Sequence, residues 1–507
     1  MDVPVLAQYT IRSKQAYIFR TNRLVEIIGA SEIIKQTFDM LFECMTQAGL
    51  SCDRAQNKSP DFSMSDTRRK FQENALDAAE LFCGGGNDTV LFRNRDAFRR
   101  ANAAYTRAVL ERYPGLLPLC VGVEVDGSDY DADHKKLMDA VDRSKNAMQS
   151  RRVENAQPFA RQDRSTMQAV AVELRRTDGS AEYRSAESEA KYKMGKKIET
   201  DTENTKLLDE IARDEDRSLL AIVHADGNNM GPKIQKKLEN HKDYDFCVKA
   251  MRAFNLQIDQ VFTEEGPAAL EKRRLELAAQ YPDEPEKNLH VRWIVKGGDD
   301  ATFLCNAKYA LELTRAYLEG VKQAGELAGA PYSSCAGICV FHAHYPFARA
   351  YELAEQACDN AKKPVHESHL EQAWVDFHYL RSGVNGELAD IRELHRTQAC
   401  IARPWFVCGE QPSEGTFRLK QLEELSKLLR RAGVVRTQIK SLGENLEVSQ
   451  YAGELVWKRI CYNAPNNSDL EGKAKKLFSD EESLYRALYD LSDFCDLWFM
   501  KGGNEVD

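Results

Sequence analysis

A short string occurs twice in this sequence. Gly85-Gly86-Asn87-Asp88 and Gly297-Gly298-Asp299-Asp300 stand 212 residues apart, each between two apolar runs. Further on, Gly122 and Gly337 lie inside apolar runs 215 residues apart. A nearly constant offset over several elements points to duplication, and a duplicated chain builds one unit twice. The alternative is two unrelated hairpins that both use glycine, since Gly-rich turns are common in hairpins.

The first copy opens with an apolar run over 3–11 that reads as a strand. A helix is expected over 14–28 with Gly29 as its stop. Ser31 is placed to cap a second helix, which carries Ile33, Ile34, Phe38, Leu41, Phe42 and Met45 at three-and-four spacing. Residues 51–75 are polar and read as an insertion. A hairpin follows, 79–83 and 88–92, about Gly84-Gly85-Gly86-Asn87. A helix over 95–113, a strand over 118–125 and a helix over 131–149 complete the copy. The order β-α-β-β-α-β with a trailing helix is a ferredoxin-like plan. The second copy repeats it: a strand over 219–224 leading to Asp226, a helix over 243–263, and a hairpin 291–296 and 301–305. A helix over 307–326, a strand over 334–341 and a helix over 346–362 follow.

The 507 residues suggest about three domains. The fold class expected is α+β, with two ferredoxin-like domains over 1–150 and 216–410, a charged connection over 151–215, and a helical C-terminal domain over 411–507. In the connection, Arg151, Arg152, Arg161, Arg164, Lys191, Lys193, Lys196 and Lys197 read as solvated surface, with phosphate binding as the alternative. Residues 417–432 are amphipathic, and 484–498 carry an apolar and aromatic stripe that reads as bundle core. Lys plus Arg number 70 and Asp plus Glu 79, a net charge of −9. That acidity argues against a chain coated in nucleic acid and leaves room for a local basic groove. No apolar run approaches the roughly 18 residues of a spanning helix, and Met1-Asp2-Val3-Pro4 lacks a signal-peptide layout. The 13 cysteines include no Cys-x-x-Cys pair, which argues against a zinc ribbon and fits a reducing cytoplasm. Cys335 and Cys339, four apart in an apolar run, read as core thiols.

The chemistry concentrates in the second copy. Asp is poor in strands and costly there unless solvated or ligated. Asp226 ends the opening strand, which in this plan is central and neighbours the hairpin. Asp226 and Asp299 are therefore expected to converge at the sheet edge, with Asp300 beside them. Carboxylates converging in this way repel unless a divalent cation, Mg²⁺ or Mn²⁺, holds them. Two such ions suit phosphoryl transfer. Gly297 and Gly298 permit a tight turn and close backbone approach by a substrate. Gly227, Asn228, Asn229 and Gly231 follow a strand and precede a helix, where backbone N–H groups cradle phosphate. Lys362 could offset phosphate charge, with Lys296 the weaker candidate and a solvated surface role the alternative for each. The first copy has Asn87 where the string alignment puts Asp299, and no Asp around Gln8 to Thr10. One working metal site is expected.

These residues resemble the palm domain shared by GGDEF nucleotide cyclases and the large polymerase-like subunit of type III CRISPR effector complexes. Ala225-Asp226-Gly227-Asn228-Asn229-Met230-Gly231 and Lys296-Gly297-Gly298-Asp299-Asp300 are similar to the two metal motifs of the CRISPR branch. Ser334-Cys335-Ala336-Gly337-Ile338, Ala361-Lys362 and Val375-Asp376-Phe377-His378 are similar to its later segments. Gln15-Ala16-Tyr17-Ile18-Phe19 and Gly29-Ala30-Ser31-Glu32 look like its degenerate first palm. The resemblance implies a nucleotidyltransferase that joins ATP or another NTP into cyclic oligonucleotide messengers for antiviral defence. It makes Asp226, Asp299 and Asp300 metal ligands and Lys362 a phosphate contact. The alternative is a non-catalytic nucleotide-binding or scaffold subunit of a ribonucleoprotein. The partners expected are the triphosphate, a second copy or a small helical protein at the C-terminal domain, and RNA, with no membrane. Asn228 stands where that family often has Asp. No His-Asp dipeptide occurs, so its HD nuclease domain is not seen, nor are its zinc-binding Cys pairs.

Overall fold

The structure, a computed structural model, describes residues 3–55, 60–147, 159–175, 181–201, 219–282, 289–329, 331–343, 345–380, 386–394, 400–466 and 469–498. Two compact units share them. The first comprises Met1–Lys206, Asn229–Thr263 and Ile294–Asp299; the second comprises Leu207–Asn228, Glu264–Trp293 and Asp300–Asp507.

In the first unit the chain runs β1 (Val5–Arg12), α1 (Lys14–Ile18), α2 (Leu24–Gln47), β2 (Cys52–Asp53), α3 (Met64–Gln72), β3 (Ala78–Gly84), β4 (Asn87–Phe92), α4 (Arg95–Arg112), β5 (Leu117–Glu124) and α5 (Tyr130–Ala147). β6 (Val170–Arg175), β7 (Ala181–Ser185) and α6 (Ala186–Asp201) follow, and later α7 (Met230–Leu238) and α8 (Tyr244–Ile258). The sheet order is β2-β3-β4-β1-β5. β1 is buried from Val5 to Ile11, so both faces are covered. Its odd residues face α4, with Tyr9 edge-on to Tyr105 at 5.6 Å. Its other face packs Leu6, Leu81, Leu91 and Leu119 against Leu137, Val141, Tyr244 and Val248.

Four readings change here. Gly29 does not stop a helix, nor does Ser31 cap one, because α2 runs through both. A Cβ on Gly29 would lie 1.9 Å from the Lys191 carbonyl oxygen, and one on Gly195 would lie 2.0 Å from that of Val25. The two glycines let α2 and α6 cross backbone to backbone. Residues 51–75 are not a polar insertion: β2 extends the sheet, and α3, capped by Ser63, buries Met64 and Phe71. The charged connection is not all solvated surface. Lys191 is fully buried, its Nζ donating to Glu187 at 2.7 Å and to the Tyr17 carbonyl at 2.5 Å. Arg20 completes the Glu187 pair at 2.5 Å. Arg161, Arg164, Lys193, Lys196 and Lys197 are exposed, and Arg151 and Arg152 lie outside the described residues. Finally, α8, expected within the second copy, belongs to the first unit. Its Arg252 donates to the carbonyls of Leu81 at 2.6 Å and Glu80 at 2.8 Å. A π-helical stretch, Asp259–Glu265, follows α8.

The second unit contains β8 (Leu219–Gly227), α9 (Gly266–Gln280), β9 (Val291–Gly297), β10 (Asp300–Asn306), α10 (Ala310–Leu327), β11 (Ser334–His342), α11 (Phe347–Ser368), β12 (Gln372–Tyr379), α12 (Leu388–Leu394) and β13 (Trp405–Gly409). Helices α13 (Leu419–Arg431), α14 (Arg436–Val448), α15 (Gln450–Asn463), α16 (Leu470–Lys475) and α17 (Glu481–Trp498) end it. The sheet order is β13-β12-β11-β8-β10-β9; the end of β9, from Ile294, groups with the first unit. The four-strand order β3-β4-β1-β5 of the first sheet therefore recurs as β9-β10-β8-β11. Residues 375–378 lie in β12, and β13 extends the sheet beyond it. The helical part holds: Leu422, Leu425, Leu429, Leu484, Leu488, Leu491 and Phe494 are buried. Arg403 joins it to the sheet, donating to the Phe377 carbonyl at 2.6 Å and lying 3.1 Å from Asp490. None of the 13 cysteines is in a disulfide, and Cys335 and Cys339 lie in the core. Among the described residues no helix is long and apolar enough to cross a membrane.

Strand register corrects the string alignment by one residue. Asp300 stands opposite Asp226, which stands opposite Cys335. In the first sheet the corresponding row is Asn87, Thr10 and Leu119. Asn87 thus takes the place of Asp300, Gly86 that of Asp299, and Val121 rather than Gly122 that of Gly337. Matching glycine to glycine is misleading because the turns use them differently. Gly85 and Gly86 both have positive φ, 57° and 69°, whereas the other hairpin turns on Gly298 at 64° followed by Asp299.

Candidate active site

The second-unit part of the site grows from one row of β8. Side chains directly opposite in an antiparallel pair share a face, so Asp226 and Asp300 point the same way. His224 and Thr302 fill the next row on that face, hydrogen-bonded at 3.2 Å. Burial holds the His224 imidazole down at about 4, so it is neutral at pH 7. Two carboxylates directly opposed repel one another. A cation on α11 answers them: Lys362 Nζ donates to Asp226 Oδ2 and to the Gly227 carbonyl, the latter at 3.1 Å. Burial works against the Lys362 charge, but Asp226 outweighs it, and the amine is held above its usual range.

Gly337 explains how Lys362 gets there. A Cβ at that position would lie 2.0 Å from the Ala354 carbonyl oxygen and 2.3 Å from the Cys358 nitrogen. Without one, α11 lies directly on β11, and its next turn carries Lys362 over the end of β8. Cys335, facing the same helix, is buried, and burial pushes its thiol up to about 12. It stays a neutral thiol, so the donors at this edge are carboxylate oxygens. Hard oxygen donors of this kind are those that Mg²⁺ or Mn²⁺ take.

The other sequence-predicted residues divide. Gly227 is buried and Gly231 exposed; Asn229 begins α7 in the left-handed region, φ 57°. Gly297 is exposed and has open space about it, and Asp299 and Lys296 are half-buried. Asn228 is corrected. Its side chain donates to Ser333 Oγ at 2.9 Å and the Gln372 carbonyl at 2.8 Å, and its own N–H to the Ser333 carbonyl. At 1% exposure it is a buried brace between β8 and β12 rather than part of a phosphate cradle. Two residues escaped the sequence reading. Ser334 Oγ donates to the Asp226 carbonyl at 3.0 Å, a tie visible only once β11 is paired with β8. Asp359 sits three residues before Lys362 on the same helix face, a spacing the sequence does display. Desolvation raises its carboxyl, Lys362 opposes, and Asp226 adds to the rise.

Residues 219–369 match the family model for the Cas10/Cmr2 second palm domain. This part of the chain is similar to a Cas10/Cmr2 second palm. Its opening strand β8 carries Asp226 and its trailing helix α11 carries Lys362, so the palm supplies both partners of the ion pair. Among solved structures, a Csm1–Csm4 cassette in complex with pppApA is similar at 13% identity and TM-score 0.50, covering 98% of this chain and 69% of that one. A Csm1–Csm4 cassette in complex with cA4 gives 12% and 0.48 over 97% and 69%. Csm1 of T. onnurineus gives 14% and 0.47 over 96% and 69%. At such identity the likeness is one of fold. No curated protein matches the sequence.

Proposed function

We propose that this chain is a metal-dependent nucleotidyltransferase of type III CRISPR-like defence that converts ATP, or another nucleoside triphosphate, to cyclic oligonucleotides. The observation that carries it is the row Asp226–Asp300 with Lys362 above it, inside a segment similar to a Cas10/Cmr2 second palm. The similar cassette with pppApA supports a linear oligoadenylate as the intermediate class. In this reading the chain holds two palms. The second is active, and the first is degenerate because Thr10, Gly86 and Asn87 replace the acids.

Asp226, Asp299 and Asp300 would hold Mg²⁺ or Mn²⁺, which when bound lowers the barrier by countering charge on the phosphate oxygens. The residues of the chain do the rest. A ribose hydroxyl of one nucleotide attacks the α-phosphorus of another; an O–P bond forms, the α–β bridge breaks, and pyrophosphate leaves. Asp300 would take the hydroxyl proton. Lys362 exchanges its bond to Asp226 for one to a phosphate oxygen. The backbone at Gly297 and Gly298 leaves room for close approach of the substrate. A second copy of the chain, a small helical protein or RNA would meet the molecule elsewhere, the C-terminal helices being the proposed protein-binding part.

The test is incubation of pure protein with each triphosphate and Mg²⁺ or Mn²⁺, with product masses read directly. Pyrophosphate and a cyclic product are expected, and Asp299→Ala should abolish both while the circular dichroism stays native. Product formation by that variant at the wild-type rate would remove the site assignment. An inert wild-type protein that co-purifies with guide RNA and other subunits would favour the scaffold alternative.

A further inference from the structure

We propose that Glu80, Cys83 and Asp88 in the first unit form a Zn²⁺ site that staples the β3–β4 hairpin. One ligand atom from each residue lies within 4.8 Å of the others.

The hairpin assembles this set against the ordinary alternation of a strand. Cys83 and Asp88 are register partners and share a face. Glu80 is three residues before Cys83, an odd spacing that points side chains to opposite faces in a regular strand. A register shift between Glu80 and Phe82 absorbs one residue, as a β-bulge does, and turns Glu80 to the side of Cys83. The bulge leaves Leu81 in the apolar cluster on the other face.

A second observation points to a ligand. Asp88 is 0% exposed and Glu80 2%. Neither oxygen of Asp88 has a hydrogen-bond partner among the described residues, and nor does Oε2 of Glu80. Buried carboxylates without donors are among the costliest groups a fold can hold, and a bound cation relieves them. The nearest guanidinium does not suffice. Arg54 Nε is 4.0 Å from Glu80, its side chain is 44% exposed, and it is ion-paired with Asp39. Arg252 and the Ala55 N–H also favour the Glu80 carboxylate, but Asp88 has only the peripheral Arg54 set against it.

The donor set selects the metal. A thiolate with two carboxylates suits borderline-soft Zn²⁺, whereas Mg²⁺ and Ca²⁺ take oxygen only. Tetrahedral bonds of about 2.0–2.3 Å put ligand atoms roughly 3.3–3.8 Å apart. Closure from 4.8 Å therefore needs side-chain rotations of about an ångström. Binding forms the zinc–sulfur bond and releases the thiol proton to solvent. Cys83 is only partly buried and gives the ion its entry. The site lies on the face of the first sheet opposite the Thr10–Asn87 row, and it shares no residue with the carboxylate row of β8.

The full-length protein, stripped with a chelator, is titrated with Zn²⁺ and, separately, with Co²⁺. One equivalent of Zn²⁺ should bind, and Co²⁺ should show a thiolate charge-transfer band. Cys83→Ser should abolish the band, and both Cys83→Ser and Asp88→Asn should weaken Zn²⁺ by roughly tenfold or more. Asp226→Asn should leave the band unchanged. No zinc uptake by the folded wild type, or a cobalt band that survives Cys83→Ser, overturns the proposal. Should Asp88→Asn fail to fold, the wild-type and Cys83→Ser spectra still decide it.

Discussion

The two sheets share a strand order and differ in where they keep their acids. In the second, Asp226 and Asp300 face each other at the edge, partly exposed and answered by Lys362. In the first, the matching row is Thr10 and Asn87, and the turn is held by side-chain donors to its backbone. Thr10 Oγ1 donates to the Gly86 carbonyl at 3.3 Å, and Lys14 Nζ to the same oxygen at 2.6 Å. Its acids, Glu80 and Asp88, have moved to the opposite face and inside. One plan thus supports an exposed carboxylate row suited to a substrate and a buried one suited to a structural ion. Which of the two appears depends on strand parity, because one residue of slip changes the face.

The largest expected effect separates the two rows. Asp300→Ala should lower product formation by about 10³-fold or more, while Asn87→Ala should leave it within roughly threefold. Equal losses, measured as initial rates with ATP, would mean that the first sheet contributes to the chemistry. The next contrast concerns the helices on each sheet. Gly337 abuts backbone, so Gly337→Val should cost about 3 kcal/mol or more and displace α11. Gly122 abuts the Phe98 and Val5 side chains at 2.8 and 2.9 Å, which can yield, so Gly122→Ala should cost about 1 kcal/mol. Urea midpoints for the pair check this, and a reversed order would break it.

Lys191→Met should destabilise the first unit by about 3 kcal/mol, since it leaves buried Glu187 with Arg20 as its one cation beside the neutral Gln168 amide. A midpoint shift below one-third of that would mean that the Arg20 pair suffices. The smallest effect depends on pH and is confined to the second unit. Burial, with Arg392 and Arg403 near, pushes His378 down to about 3; Asp493 and Asp376 oppose. The unfolded imidazole, near 6.5, takes its proton first, so stability falls as pH drops from about 6.5 toward 3. His378→Asn should flatten this loss by roughly 1–2 kcal/mol between pH 6.5 and 5. Parallel pH curves for variant and wild type would refute it.

Much of this was legible in the residues. Hairpin turns announce themselves through glycine, alternation marks the strands, and carboxylates at a strand end stand out because that position penalises them. Asp226 and Asp300 were named in this way, but the pair expected to converge was Asp226 with Asp299, and the residue across the strands from Asp226 is Asp300. Lys362 was named, but its reach to Asp226 was not visible, because it depends on a glycine 25 residues earlier lying flat beneath α11. Asn228 was misplaced because a polar residue after a strand looks the same whether it faces solvent or braces two strands.

Local pattern determined the type and order of most elements in the two copies, since periodicity, caps and turns act over a few residues, but it missed β2, α3, β12 and β13. Tertiary contacts decided the rest: the one-residue register between the copies, the bulge that turns Glu80 toward Cys83, the passage of α2 through Gly29, and the packing of α8 in the first unit. These depend on hydrogen bonds and close approaches between segments tens to hundreds of residues apart. No short window of sequence contains both partners.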